Sequence, residues 1–134
     1  MSQADNVAVV QQFYRAIHRG DTRAVLSVLA DDVEWHQPGP AETLPWAGMC
    51  RGREQVAQCL AALDEASEVQ QLELWDFIAQ DNRVVVAGRE RTRIKRTGHV
   101  YESPWAMVFT VRGGKITYFR AHHDTAAIVA AMVG

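Results

Sequence analysis

In the first half of the chain, apolar residues recur at the spacing of α-helices. The first set begins near Asp5, whose carboxylate can cap a helix, and stops before Gly20. Asp21 caps a predicted second helix over residues 22–29, and a third helix is predicted over residues 53–63. The apolar positions of the first helix are Val7, Val10, Phe13, Tyr14 and Ile17.

In the second half, the pattern changes to the alternation of β-strands. Strands are predicted over residues 83–95, 100–112 and 115–122, after earlier strands over residues 33–37 and 69–79. The turn signals between the later strands are Asp81-Asn82, Thr97-Gly98 and Gly113-Gly114, and a last helix begins at Thr125. Helices followed by an antiparallel meander predict an α+β fold, organised as a single domain over residues 1–134.

Alternation within the strands indicates which side faces the interior. The inward side of one strand carries Val84, Val86, Gly88, Glu90, Thr92 and Ile94, and its outward side carries Arg89, Arg91, Arg93 and Lys95. In the next strand the apolar side carries Tyr101, Ser103, Trp105, Met107, Phe109 and Val111. We interpret the outward basic row as a solvated face, or as part of a dimer interface that meets Glu73 and Glu102.

Charge and composition narrow the class of protein. A formal net charge of −2 argues against nucleic-acid binding, which usually needs a basic excess. No apolar run is long enough to cross a membrane, and the N-terminus carries a carboxylate where an export signal carries lysines. The two cysteines, Cys50 and Cys59, are expected to be reduced packing residues. The sequence therefore predicts a cytoplasmic protein.

The order of elements and several motifs resemble the NTF2-like superfamily, and more closely its SnoaL-like, ketosteroid isomerase-like branch. The matching segments are residues 13–21 (FYRAIHRGD), 29–35 (LADDVEW), 51–56 (RGREQV), 105–109 (WAMVF), 114–116 (GKI), 119–120 (FR) and 124–127 (DTAA). The resemblance implies a cone-shaped, curved antiparallel sheet wrapped around N-terminal helices, with cystatin-like topology. It also implies an interior cavity for a small hydrophobic molecule, and usually a homodimer.

The catalytic residues of the best-known relatives have no counterparts here. Ketosteroid isomerases use an aspartate base with a tyrosine and a protonated aspartate as donors. Alignment of the Ala-Asp-Asp segments puts Gln37 at the base, and counting back from Gly20-Asp21 puts Phe13 at the tyrosine. The second donor falls near Trp105 or Ala106. We expect neither phenyl nor indole to replace that donor pair. The water-activating aspartate of epoxide hydrolases falls on Ala121, and the acid/base aspartate of polyketide cyclases finds no match.

Two ionisable residues on the predicted interior are candidate catalytic groups. Glu90 lies on an apolar strand face, where a carboxylate needs a partner or a function. The alternatives are a salt bridge to Arg51, or a bulge that turns Glu90 outward. His123 ends the last strand on its inward side and can act as an acid or a base. Its alternative is a hydrogen-bonded residue near the mouth of the cone, and Asp124 is expected to cap the last helix.

A mostly apolar pocket with a few directed polar groups is the usual form of a small-molecule site. Gln37 is expected to hydrogen-bond a ligand, and Trp46 belongs to a loop that either covers the cavity or only packs against it. The further predicted ligand-binding residues are Phe13, Trp35, Tyr101, Ser103, Trp105 and Met107. No metal site and no cofactor are predicted.

These residues favour a cofactor-independent enzyme that performs proton transfer on a carbonyl-bearing metabolite, by cyclisation, isomerisation or hydration. The alternative is a non-catalytic binding or carrier protein with the same pocket. An interaction module that uses the outer sheet face is disfavoured by the basic row. The expected partners are a small hydrophobic molecule and a second copy of the chain through the outer sheet face, with neither nucleic acid nor membrane.

Overall fold

Four helices and six strands make up the computed structural model, which describes residues 2–134. In chain order they are α1 (Gln3–His18), α2 (Thr22–Ser27), β1 (Leu29–Gln37), β2 (Gly48–Arg51), α3 (Gly52–Ala66), β3 (Ser67–Gln80), β4 (Arg83–Ile94), β5 (Val100–Arg112), β6 (Lys115–His123) and α4 (Thr125–Met132). The α+β class predicted from the sequence is confirmed.

Side-chain caps begin three of the helices. Asp21 accepts a hydrogen bond from the Ala24 amide at α2, and Asp124 accepts one from the Ala127 amide at α4, as predicted. At α1 the cap is Ser2 rather than Asp5. Asp5 lies at the third helical position, where it accepts from the Ser2 amide and completes a capping box.

The six strands form one curved, unclosed sheet in the order β2-β1-β6-β5-β4-β3. Strands β3 to β6 form the predicted antiparallel meander, whereas β1 pairs with β6 in parallel. The alternation of buried and exposed residues in β4 follows the predicted faces, because Val84, Val86 and Glu90 are buried and Arg91 is exposed. Helix α1 packs against the concave side, where Val10 and Phe13 join the main core.

Two elements differ from the sequence prediction. Strand β1 begins at Leu29, a residue predicted to lie in α2, and Leu29 is fully buried. Its carbonyl accepts two hydrogen bonds from the Arg53 guanidinium, which tie β1 to α3. The loop expected over residues 41–52 contains β2, which pairs antiparallel with the end of β1.

The cysteines were expected to be reduced, and that expectation is wrong for this structure. Cys50 of β2 and Cys59 of α3 form a disulfide, with their Cα atoms 7.2 Å apart. Pairing of β2 with β1 brings Cys50 beside α3, and a strand that was not predicted could not reveal this proximity.

Candidate functional site

A cavity of about 130 Å³ lies between the concave face of the sheet and the helices. Helices α1, α3 and α4 contribute to its wall, together with five strands and the loop before β2. The lining residues are Phe13, Tyr14, Ile17, Trp35, Gln37, Pro38, Trp46, Leu60, Leu63, Ser67, Val69, Leu72, Glu90, Thr92, Tyr101, Trp105, Met107, Phe119, His123 and Ile128.

Most of the predicted pocket residues lie in this wall. They are Phe13, Trp35, Gln37, Trp46, Glu90, Tyr101, Trp105, Met107 and His123. Ser103 does not line the cavity, contrary to the prediction. Its hydroxyl donates to the Pro104 carbonyl at 2.7 Å and accepts from the Asp124 amide at 2.9 Å, so it ties β5 to the start of α4.

Glu90 and His123 meet inside the cavity. Nδ1 of His123 lies 3.5 Å from Oε1 of Glu90, and both side chains are largely buried. The Tyr101 hydroxyl donates to the same Oε1 at 3.1 Å. Neither alternative for Glu90 holds, because Glu90 faces inward and Arg51 pairs instead with Glu34 at 3.0 Å.

Burial shifts the pKa of both ionisable groups toward their neutral forms. Loss of water raises the pKa of the Glu90 carboxyl, and the hydrogen bond from Tyr101 opposes that shift. Loss of water also lowers the pKa of His123 to about 4, helped by the neighbouring His122. His123 is therefore a neutral imidazole near pH 7, with one nitrogen able to donate and the other able to accept a hydrogen bond.

Several buried polar atoms of the cavity wall find no hydrogen-bond partner within residues 2–134. They are the hydroxyls of Tyr14 and Thr92, the indole nitrogens of Trp35 and Trp105, and Nδ1 of His123. All five belong to lining residues. Buried polar atoms are normally hydrogen-bonded, so a cluster of unpartnered ones in a cavity wall indicates a place for polar ligand atoms or water.

Tyr14 and Thr92 were not predicted as site residues. Tyr14 read as one more apolar position of α1, and Thr92 as one more inward position of β4. Helical and strand periodicities identify which face is buried, but they do not distinguish a hydroxyl that finds a protein partner from one that does not.

Aromatic stacking holds the indoles of the wall in place. Trp35 stacks on Phe119 at a centroid distance of 4.0 Å, and Trp105 stacks on Tyr14 at 6.0 Å. The Trp105 indole also lies over Gly88 of the neighbouring strand. A Cβ atom on Gly88 would come within 2.5 Å of the Trp105 ring and 2.1 Å of the Glu73 carbonyl.

The charged residues of the outer sheet face pair with one another. Arg89 contacts Glu73 at 2.6 Å and Glu102 at 2.5 Å, and Arg91 contacts Glu102 at 3.4 Å. The predicted meeting of the basic row with Glu73 and Glu102 therefore occurs within one chain.

No three His, Cys, Asp or Glu side chains of residues 2–134 gather as a metal ion would require. No helix in the same range is both long and apolar enough to span a bilayer.

Comparison with known proteins agrees with the fold. The chain is 30% identical to the uncharacterised protein Rv0034 of Mycobacterium tuberculosis over 118 residues, and this aligned segment covers 87% of each chain. It is 38% identical to an NTF2-like protein of Burkholderia xenovorans, with a TM-score of 0.89 and 98% of each chain covered. It is 25% identical to TerC co-crystallised with polyporic acid, with a TM-score of 0.87 over 97% of this chain and 99% of TerC.

The family model described as "SnoaL-like domain" matches residues 10–119, most of the chain. The resemblance seen in the sequence motifs is thereby confirmed, and this chain belongs to the SnoaL-like domain family.

Proposed function

We propose that this protein is a cofactor-independent enzyme that transfers a proton on a hydrophobic, carbonyl-bearing metabolite, with Glu90 and His123 as its acid–base pair. The observation that carries the proposal is the 3.5 Å approach of the two side chains within one aromatic-lined cavity. Pairs of titratable groups with shifted pKa values are typical of acid–base sites. A cyclisation, an isomerisation or a hydration would use such a pair.

Glu90 is the proposed base. Its ionised carboxylate takes a proton from the carbon next to the ligand carbonyl, and the electron pair of that C–H bond forms an enolate. The proton then returns from Glu90 to the same carbon or to another one. A raised carboxyl pKa strengthens the base, and the Tyr101 hydroxyl, which donates to Oε1, orients the carboxyl group. Neutral His123, 3.5 Å from Oε1, is the partner that can accept or donate a proton.

The apolar wall favours a small organic ligand. The similarity to TerC, which was co-crystallised with polyporic acid, also favours such a ligand. The second candidate function is non-catalytic binding or transport of the same kind of ligand. Aromatic walls together with Gln37 would suffice for it, without any role for Glu90.

Deuterium exchange separates the two functions. Acetophenone serves as the probe ketone, and NMR in D2O follows loss of its methyl protons with and without the protein. We expect the protein to accelerate this exchange, and Glu90→Gln to reduce the acceleration by about 100-fold, a typical contribution of a positioned base.

The matched control is Glu102→Gln, because Glu102 lies on the outer sheet face and its substitution should leave the exchange rate unchanged. Thermal melting of each variant shows whether it is folded. Equal rates for the wild type and Glu90→Gln would refute the acid–base proposal, and binding without any exchange would favour a carrier.

We also infer that two copies associate through the outer sheet face. Ile78 of β3 is 60% exposed and lies in register with Val85 of β4 and Val108 of β5, both half-buried. This row of three aliphatic side chains crosses the face beside the paired charges. A second copy would remove the row from water.

A further inference from the structure

Two of the unpartnered donors in the cavity wall lie on neighbouring rings. The Tyr14 hydroxyl and the Trp105 indole nitrogen belong to stacked side chains that are 6% and 4% exposed. Neither atom has a hydrogen-bond partner within residues 2–134. An indole N–H can only donate, and a neutral phenol donates its single hydrogen, so both atoms call for an acceptor.

Other parts of the fold fix these two rings. Gly88 leaves the space that the Trp105 ring occupies, and Tyr14 also contacts Phe13, Phe77 and Phe109 edge-to-face. Rings packed on several sides do not turn to find another acceptor. Leaving both donors unmatched is costly unless something else in the cavity accepts from them.

The same two rings lie beside the proposed acid–base pair. Trp105 is directly opposite His123 in the β5–β6 ladder. Tyr14 lies near enough to Glu90 for the carboxylate charge to add to the effect of burial in raising the pKa of the phenol. The donors and the acid–base pair therefore adjoin one part of the cavity.

We propose that Tyr14 and Trp105 bind the carbonyl oxygen of the ligand and so hold the adjacent carbon at Glu90 and His123. This inference rests on the proposed function and assigns the residues that position its substrate. It also changes the expectation drawn from the sequence that phenyl and indole would not replace the donor pair of ketosteroid isomerases. The tyrosine comes from position 14, next to the phenylalanine that alignment put in that role.

As enolate character develops during proton removal, negative charge accumulates on the carbonyl oxygen. Two fixed donors in a mostly apolar cavity stabilise that charge more than they stabilise the neutral ketone. Tyr14 and Trp105 would therefore contribute both to binding and to the exchange rate.

The test compares two probes of nearly the same shape. Acetophenone carries a carbonyl group where cumene carries a CH–CH3 group, so only acetophenone can accept a hydrogen bond. Calorimetric or NMR titration should give tighter binding of acetophenone. Tyr14→Phe and Trp105→Phe should each weaken acetophenone binding about fivefold to tenfold, the value of one hydrogen bond, and leave cumene binding within about twofold.

Matched controls lie on the outer face of the sheet. Trp75→Phe and Tyr118→Phe make the same chemical changes at an exposed residue and a half-buried one outside the cavity wall. Neither should alter the affinity for either probe.

A measurement on the wild type does not depend on the folding of a variant. The infrared carbonyl band of bound acetophenone should lie below its frequency in hexane, as expected for a hydrogen-bonded carbonyl. A band at the hexane frequency, or equal losses of acetophenone and cumene affinity in both variants, would overturn the assignment of the donors.

These outcomes are distinct from failure of the proposed function. If the exchange depends on Glu90 but the carbonyl band is not shifted, the acid–base pair is supported and the donor assignment is refuted. If the band is shifted but no exchange occurs, the donor assignment is supported and the protein only binds its ligand. Absence of binding by both probes would contradict the donor assignment and the pocket together.

Discussion

His123 shows how one residue couples the site to the stability of the fold. Burial lowers the pKa of His123 from 6.5 to about 4. Between these pH values the imidazole is protonated in the unfolded chain but neutral in the folded one. The resulting stability is fully present above pH 6.5 and is lost as the pH falls toward 4. One pKa unit corresponds to about 1.4 kcal/mol, so the loss reaches up to about 3 kcal/mol.

Urea unfolding at pH 7.5 and at pH 4 measures this contribution. Glu90 acts in the opposite sense, because its raised pKa makes stability fall as the pH rises above 4.5. The comparison is therefore made in a Glu90→Gln background. Adding His123→Gln should remove the part of the acid loss that His123 contributes, whereas His18→Gln at an exposed position should keep it. An unchanged acid loss after His123→Gln would contradict the assignment.

Gly88 provides a second prediction for a single residue. An added Cβ would meet the Glu73 backbone and the Trp105 ring, so Gly88→Ala should destabilise the fold by about 2 kcal/mol, as overpacking does. Denaturant unfolding gives this value, and the variant should also lose preference for acetophenone over cumene.

The control is Gly98→Ala, where a Cβ atom meets nothing within 4 Å but the backbone φ is +76°. It should cost about 1 kcal/mol from backbone strain and leave ligand preference unchanged. Identical behaviour of the two variants would show that the space above Gly88 has no special role.

The sequence predicted which strand face each site residue occupies, but it did not predict which side chains contact one another. Period-two alternation correctly predicted that Glu90 and His123 face inward, because side chains of one strand alternate strictly. Their meeting depends on the registers of two ladders, in which Glu90 pairs with Ser103 and His123 with Trp105. Alternation within a strand carries no information about those registers.

At the scale of elements, α4 depends on a contact from the sheet. The Ser103 hydroxyl accepts a hydrogen bond from the backbone amide of Asp124, the residue immediately before α4. Ser103→Ala would leave this amide without its acceptor and should destabilise the fold by about 1–2 kcal/mol. Hydrogen exchange of the α4 amides should accelerate correspondingly.

Ser27→Ala is the matched control, since within residues 2–134 its exposed hydroxyl bonds only to the Ala24 carbonyl in the preceding turn. It should change stability by no more than about 0.5 kcal/mol. Unaltered protection of α4 in Ser103→Ala would mean that packing alone holds the helix.

A strand could be predicted where its own residues show alternation. The 13-residue strand β5 was predicted with its observed bounds, because its alternation is long and glycines follow it. The four-residue strand β2 was missed, since it follows a loop rich in proline and glycine and shows no alternation of its own. Its existence depends on pairing with β1, a tertiary contact.

For the whole molecule, association through the outer sheet face is the prediction to test. Ile78→Asp would insert a charge into the proposed contact and should convert a dimer into a monomer, as light scattering coupled to size exclusion measures. Val133→Asp changes a residue of similar exposure, 58%, at the C-terminal end of the chain and should leave the mass unchanged. A wild-type mass of about 15 kDa would refute the dimer.

The overall architecture followed from sequence because hydrophobic periodicity, turn residues and motif order all agree along the chain. The cavity followed less directly. Its aromatic walls are visible in the sequence, but which of its buried polar atoms lack a partner within residues 2–134 depends on tertiary packing.

A buried group of side chains beside the cavity has a kinetic consequence. Trp46 before β2 and Ile128 of α4 both line the cavity, and they pack in one buried group with Leu44 and Tyr101. Under the proposed function, a ligand that passes on this side would have to wait until the group separates. Residence time of a bound molecule would then depend on how often α4 opens, so a tightly anchored helix would slow its release.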